Sequence, residues 1–168
     1  MSEPRWLSAE EQRVWRDFSI AVSMLRGHVE SQLQRDAGMP HTYYEVLVVL
    51  SEAPGRTLRM SELAEKCRSS RSRLSHAVAR LEASGWVVRD SCGTDKRGSF
   101  ARLTDRGFAA LRAAAPGHVE AVREALFDAL TPDQVRALGE IAQAIQHKLT
   151  PQCAAAMAAL EDPLDEPV

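Results

Sequence analysis

Several things are missing from this 168-residue sequence, and each absence narrows what it can be. No apolar run approaches the roughly 20 residues that a membrane-crossing helix needs. The amino terminus, MSEPRWLSAEEQ, carries charges where a leader peptide carries its apolar stretch, so a cytoplasmic chain without membrane attachment is expected. Cysteine is scarce: Cys67, Cys92 and Cys153 are odd in number and widely spaced, which is no disulfide framework, and no CxxC pair marks a zinc site. His28, His41, His76, His118 and His147 are scattered; His41 and His118 are able to meet in space, but their spacing does not require it. Gly-rich phosphate loop, nucleophile elbow and HExxH are all absent, so neither an enzyme nor a cofactor is expected. The serines near His76 have no obvious orienting acid for nucleophilic chemistry. Aromatic residues make up only 5%, while alanine is abundant, a balance that favours helix over sheet.

What is present is unevenly distributed charge. The chain is slightly acidic, with a formal net charge of -2, yet residues 56–112 hold 13 Lys+Arg against 6 Asp+Glu. The remainder holds 8 against 17. A basic middle between acidic flanks is the electrostatic footprint of a nucleic-acid-binding module on a neutral scaffold, although charge alone also fits an ordinary solvated surface.

Helix signals run the length of the chain. Ser8 with Glu11 forms a capping box, and apolar residues then recur at Val14, Phe18, Ala21, Leu25, Val29 and Leu33, predicting a long amphipathic helix that ends near Gly38. Thr42 and Glu45 form a second box, opening a shorter helix that APG at 53–55 stops. After an extended RTLRM, Ser61 is placed to cap a third helix carrying Leu63, Ala64 and Cys67, and Ser69 or Ser70 a fourth that reaches about Ser84. WVVRD (86–90) and SFARL (99–103) read as paired strands around a basic turn, SCGTDKRG. Thr104 caps a helix to about residue 129, which Pro116-Gly117 is placed to kink or interrupt. Thr131, Pro132 and Gln134 start another helix, to about Leu149, and Thr150-Pro151 repeats the start signal for a last alanine-rich segment. The acidic tail EDPLDEPV reads as disordered.

The segment RSSRSRLSHAVARL (68–81) concentrates the positive charge. On a helical wheel Leu74, Ala77, Val78 and Leu81 form an apolar stripe, and Arg68, Ser69, Ser72, His76, Ala79 and Arg80 lie opposite, with Arg73 at the edge. No carboxylate occurs between Lys66 and Leu81, whereas a solvated helix face usually interleaves acids with bases. Arginine suits bidentate contact with guanine, and serine and histidine donate to bases or phosphates. Candidate DNA contacts are therefore Arg68, Ser69, Ser70, Arg71, Ser72, Arg73, Ser75, His76 and Arg80, with Arg73 and Arg80 as candidate base readers. Two helices joined by a short turn, the second basic outside, read as helix-turn-helix, and the basic-tipped hairpin makes the unit a winged helix. At the tip, Asp95, Lys96 and Arg97 join the candidates: Arg97 for a minor groove, with Asp95 bracing its guanidinium or folding the turn.

RMSELAEKCRSSRSRLSHAVARLEASGWVVRDSCGTDKRGSFARLTDRG resembles the winged helix-turn-helix of the MarR family of bacterial transcription regulators. SELA, the helix ending in RLEASGWVVR, the DKR wing tip and LTDRG carry the resemblance in order, and it extends over roughly residues 8–160. It implies a mostly α fold with a small β-hairpin wing: an N-terminal dimerisation helix (1–37), a DNA-binding lobe (38–104), C-terminal dimerisation helices (105–160) and a tail (161–168). It also implies a homodimer on double-stranded DNA, with a pseudo-palindromic operator and half-sites about one helical turn apart. The family holds both repressors and activators; a repressor is the favoured reading.

Regulators of this family are typically released by a small phenolic or other aromatic ligand, or by cysteine oxidation. On the resemblance, the candidate effector contacts are Trp15, Phe18, His41 and Tyr44, each of which also reads as ordinary packing. The oxidation-sensing branch has a cysteine early in its first helix, where this chain reads WRDFSIAV. Cys67 reads as core filler, and Cys92 lies near the wing in a basic neighbourhood. Cysteine-switched regulation and a winged helix used as a protein-interaction adaptor are the alternatives.

Overall fold

The computed structural model describes residues 3–91 and 99–159, with side chains for 3–90 and 99–150. The described chain is mostly helical, with one small sheet. In order, it comprises α1 (Ala9–Ala37), α2 (His41–Glu52), β1 (Thr57–Arg59), α3 (Met60–Lys66), α4 (Arg71–Ala83), β2 (Val87–Ser91), β3 (Ser99–Leu103), α5 (Asp105–Val122) and α6 (Pro132–Ala159). A short 3-10 turn precedes β1, and a π-helical stretch, Arg123–Phe127, extends α5.

The sequence boundaries hold where one side chain decides them. Ser8 Oγ accepts from Glu11 N while Glu11 Oε2 accepts from Ser8 N, the reciprocal box that starts α1. Gly38, in the left-handed region at φ 62°, ends it. Ser70 Oγ accepts from Arg73 N to start α4, and Thr131 and Gln134 box the start of α6.

Five expectations are corrected. Thr42 lies inside α2, not at its cap: Pro40 is the cap, and Glu30 of α1 accepts from His41 N, so a carboxylate from another helix replaces the local box. Ser61 lies inside α3; Arg59 occupies the cap position and Glu62 accepts from its N–H. Arg68 and Ser69 belong to the turn before α4 rather than to its outer face, with Arg68 at φ 46° and Ser69 N donating to Ala64 O. Pro116-Gly117 does not interrupt α5, because the loss of one N–H is tolerated within a long, well-packed helix. Finally, Thr150-Pro151 starts no new helix: α6 runs through it to Ala159, and Thr150 Oγ1 donates back to Gln146 O.

One continuous core fills the space between the helices and the sheet, formed by Leu33, Met39, Val46, Leu47, Leu50, Leu63, Leu74, Val78, Leu81 and Val87. The sheet is antiparallel with order β1-β3-β2, so the extended RTLRM supplies a third strand, Leu58 opposite Ala101. Two glycines permit close approaches. A side chain at Gly107 would meet the Trp86 carbonyl, fixing α5 against the start of β2, and Gly117 lies where Gln32 of α1 crosses α5.

Much apolar surface finds no partner within this chain. The stripe of α1 is buried at Val29 and Leu33 but exposed at Val14 and Phe18. Helix α6 makes at most marginal contact with other elements and exposes Ile141, Ile145 and Leu149. Among the described residues no helix is long and apolar enough to cross a membrane.

Candidate nucleic-acid interface

Helix α4 is held by its apolar stripe: Leu74, Ala77, Val78 and Leu81 are all buried, as the wheel predicts. Arg71, Ser72, Arg73, His76 and Arg80 are exposed on the helix, Ser75 is half-buried, and Arg68, Ser69 and Ser70 lead into it. The structure thus brings the described candidates together around one helix and the turn before it. Asp95, Lys96 and Arg97, and Cys92, lie outside the described residues.

The sequence reading missed Arg89. On β2 it shares the inward-facing side with buried Val87, and its side chain is 28% exposed. Its Nη2 donates to Ser75 O at 2.5 Å, its Nε lies 3.6 Å from Glu82 Oε2, and its backbone N donates to Glu82 Oε1 at 3.3 Å. Arg89 therefore ties the first wing strand to α4 and neutralises Glu82 at that helix's end. The available signal was the alternation: an arginine at a core-facing strand position needs acceptors. On the other face of the hairpin Arg102 Nε pairs with Asp90 Oδ2 at 3.3 Å, bracing β3 against β2.

A second feature lies where α1, α2 and α5 meet. A cavity of about 510 Å³ is lined by Leu25, Arg26, Val29, Glu30, His41 and His118, among others. His41 and His118 do meet, with ring centroids 5.9 Å apart, and buried Tyr44 packs its ring 4.4 Å from His118. Burial, and then the nearby His41, hold the His118 imidazole below its ordinary pKa, and burial raises the Tyr44 phenol. Of the four effector candidates, His41 lines the cavity and Tyr44 backs it through His118. Trp15 (60% exposed) and Phe18 (43% exposed) do not line it. Among the described residues no cluster of three or more His, Cys, Asp or Glu is able to hold a metal ion. Cys67 is buried, and burial, with Glu45 nearby, pushes its thiol up to about 12, as befits core filler.

Comparison with known proteins places this architecture. The MarR family profile matches residues 37–98. Sco3205, a MarR family transcriptional regulator from Streptomyces coelicolor whose crystal structure is a complex with DNA, is 59% identical, with 89% of this chain and 93% of that one covered and a TM-score of 0.84. The chain belongs to the MarR family of transcriptional regulators. Two further relatives agree. AbsC, a MarR family transcriptional regulator also from S. coelicolor, is 39% identical over 87% of this chain and 98% of its own, with a TM-score of 0.81. YfiV, an HTH-type transcriptional regulator of Bacillus subtilis, is 30% identical over 136 residues, 80% of this chain and 81% of its own. As a MarR-family regulator the chain has the family's winged helix, with α3 and α4 as the helix-turn-helix and β2–β3 as the strands of the wing.

Proposed function

We propose that this MarR-family regulator is a homodimeric, sequence-specific DNA-binding protein that represses transcription from a pseudo-palindromic operator. The observation that carries the reading is α4: its apolar stripe is fully buried, its outer face holds only Arg, Ser, His and Ala over residues 71–80, and wing strands stand beside it. That arrangement offers donors to the major groove without a carboxylate to repel phosphate. DNA contacts are assigned to Arg68, Ser69, Ser70, Arg71, Ser72, Arg73, Ser75, His76 and Arg80, and at the wing tip to Asp95, Lys96 and Arg97. The DNA complex of the 59%-identical Sco3205 supports the reading that this fold binds DNA. It also favours DNA over the adaptor reading.

Residues 1–37 and 105–160 supply the dimer contacts in this proposal. The exposed Val14, Trp15, Phe18, Ile141, Ile145 and Leu149 lie on α1 and α6, which leave them unused within one chain. A twofold dimer presents two α4 helices to half-sites about one turn of DNA apart. The cavity beside His41 and His118 takes a small aromatic or phenolic effector, its apolar wall from Leu25 and Val29 and its cationic edge from Arg26. The protein acts in the cytoplasm, where its DNA lies.

A fluorescence-anisotropy titration tests the core of this reading. DNA from around the protein's own gene is compared with scrambled duplex at several salt concentrations. Tight, sequence-preferring binding that weakens steeply with salt is expected. Binding that ignores both sequence and salt would refute a DNA-reading role.

A further inference from the structure

The exposed side of α4 has a crest and two flanks. Opposite its buried stripe stand Ser72, His76 and Ala79. Arg73 and Arg80 fall on the side toward α2, and Arg71 and Ser75 on the side toward the sheet. Each flank is one wall of a recess. Toward α2, about 520 Å³ is bounded by Arg73, His76 and Arg80 together with Pro40, Thr42 and Tyr43 at the start of α2. Toward the sheet, about 240 Å³ is bounded by Arg71, Ser75, Met60 and Ser61, with Arg89 and Ser99 from the wing strands. Among the described residues no carboxylate lines either recess, and every polar side chain of theirs that does so carries a donor.

The dimensions of DNA give this symmetry a meaning. The major groove is about 12 Å wide, and a helix with its side chains is about 10–12 Å across. A helix that fills the groove meets base edges along its crest and one sugar-phosphate strand along each flank. Arg73 and Arg80 pair with no carboxylate among the described residues, so their charge is directed at whatever enters the α2-side recess. The Arg89 guanidinium, by contrast, is already committed to Ser75 O and Glu82 and shapes the sheet-side recess.

We propose that the two recesses seat the two phosphodiester strands of the operator. Arg73 and Arg80, with the Thr42 and Tyr43 hydroxyls, hold one; Arg71, with the Ser61 and Ser99 hydroxyls, holds the other. Bases are read from the crest, by the hydrogen-bonding groups of Ser72 and His76 and by the Ala79 methyl against a thymine methyl. The proposal rests on the DNA-binding reading above. It moves Arg73 and Arg80 from the guanine edges, where composition puts them, to the backbone.

The test is a paired selection and salt titration with the full-length protein. A randomised duplex library is enriched by wild type and by Arg73→Ala, Arg80→Ala, Ser72→Ala and His76→Ala, each first shown by circular dichroism to be folded. Binding to the wild-type winner is then followed against salt. The arginine variants are expected to enrich the same sequence as wild type and to lose about one from the salt slope each. Arg73→Lys, which keeps a point charge but not the planar fork, is expected to restore the slope. Ser72→Ala and His76→Ala are expected to keep the slope and relax one position each, by about 5-fold or more. Altered base preference in Arg73→Ala or Arg80→Ala would overturn the assignment, as would unaltered preference in both crest variants. A wild type that enriches no sequence would instead defeat the DNA-reading function itself, and this division of labour with it.

Discussion

Replacing Gly107 with alanine puts a methyl group where the fold has no room for one. A Cβ at this position would lie 2.1 Å from the Trp86 carbonyl oxygen and 2.8 Å from Leu103 Cδ1. Carbon and oxygen normally approach to about 3.3 Å, so the overlap exceeds an ångström and is against backbone, which cannot rotate aside. Overpacking a site of this kind costs about 3 kcal/mol, the upper end of the usual range. Alanine returns about 1 kcal/mol through its better helix propensity. The net loss is then about 2 kcal/mol, or a Tm lowered by about 4–8 °C for a chain of this size. The same shift strains the junction in which Thr104 Oγ1 accepts from Gly107 N at 3.0 Å and Thr104 N donates to Trp86 O at 3.0 Å. Thermal melting followed by circular dichroism at one fixed protein concentration measures it, since association would otherwise move the midpoint. Gly27→Ala in α1 is the counterpart: among the described residues nothing beyond the adjoining backbone of α1 and its two chain neighbours lies within 4 Å of a Cβ added there, so the same change should raise Tm by about 2–4 °C. An unchanged or higher Tm for Gly107→Ala would refute the close-approach argument.

Three other outcomes follow from the packing and the titrating groups. With Cys92 and Cys153 replaced by serine, the remaining Cys67, its thiol pushed up to about 12, should give no rapid reaction with a disulfide reagent at neutral pH until denaturant is added; prompt reaction in the native protein would show the site to be open. The depressed pKa of His118 means that the unfolded chain takes up the proton first, so its contribution to stability is complete above about pH 6.5 and is lost as pH falls below that toward the folded value. Urea midpoints at about pH 7.5 and about pH 5.5 should therefore converge in His118→Gln relative to wild type, and an unaltered pH difference would deny His118 that role. Replacing Ile141 and Ile145 together by aspartate should lower the mass measured by light scattering from dimer toward monomer while the helical signal of the winged helix remains; an unchanged mass would remove this face of α6 from the interface.

Local chemistry made most of this fold legible. Ser8, Ser70, Thr104 and Thr131 each cap the helix that the sequence assigned to them, because each bond is made within three residues. The start of α2 was misread for the opposite reason: Pro40 holds the cap position, the carboxylate that accepts from His41 N is Glu30, eleven residues away on another helix, and no local pattern encodes that contact. Pro116 and Pro151 carry a strong local signal for interruption, yet both helices continue through them. At the site, the inward stripe of α4 was readable from periodicity alone. Arg68 and Ser69 were set on its outer face because a wheel has no means of showing that the chain turns through a left-handed residue before the helix begins. The meeting of His41 and His118, the tie from Arg89 to α4 and the α2 wall of the interface all depend on chain crossings, which only the folded structure supplies.

Thr42 lines both the cavity beside the histidines and the recess facing α4, so a single helical turn separates the two spaces. Under the proposed function, a compound that displaced this turn would lower affinity for an operator by some factor, and that operator would lower affinity for the compound by the same factor. Each promoter would then set its own dose threshold. Genes behind strong operators would answer only at high concentrations of the compound, and genes behind weak ones would answer first, with one cavity serving all of them.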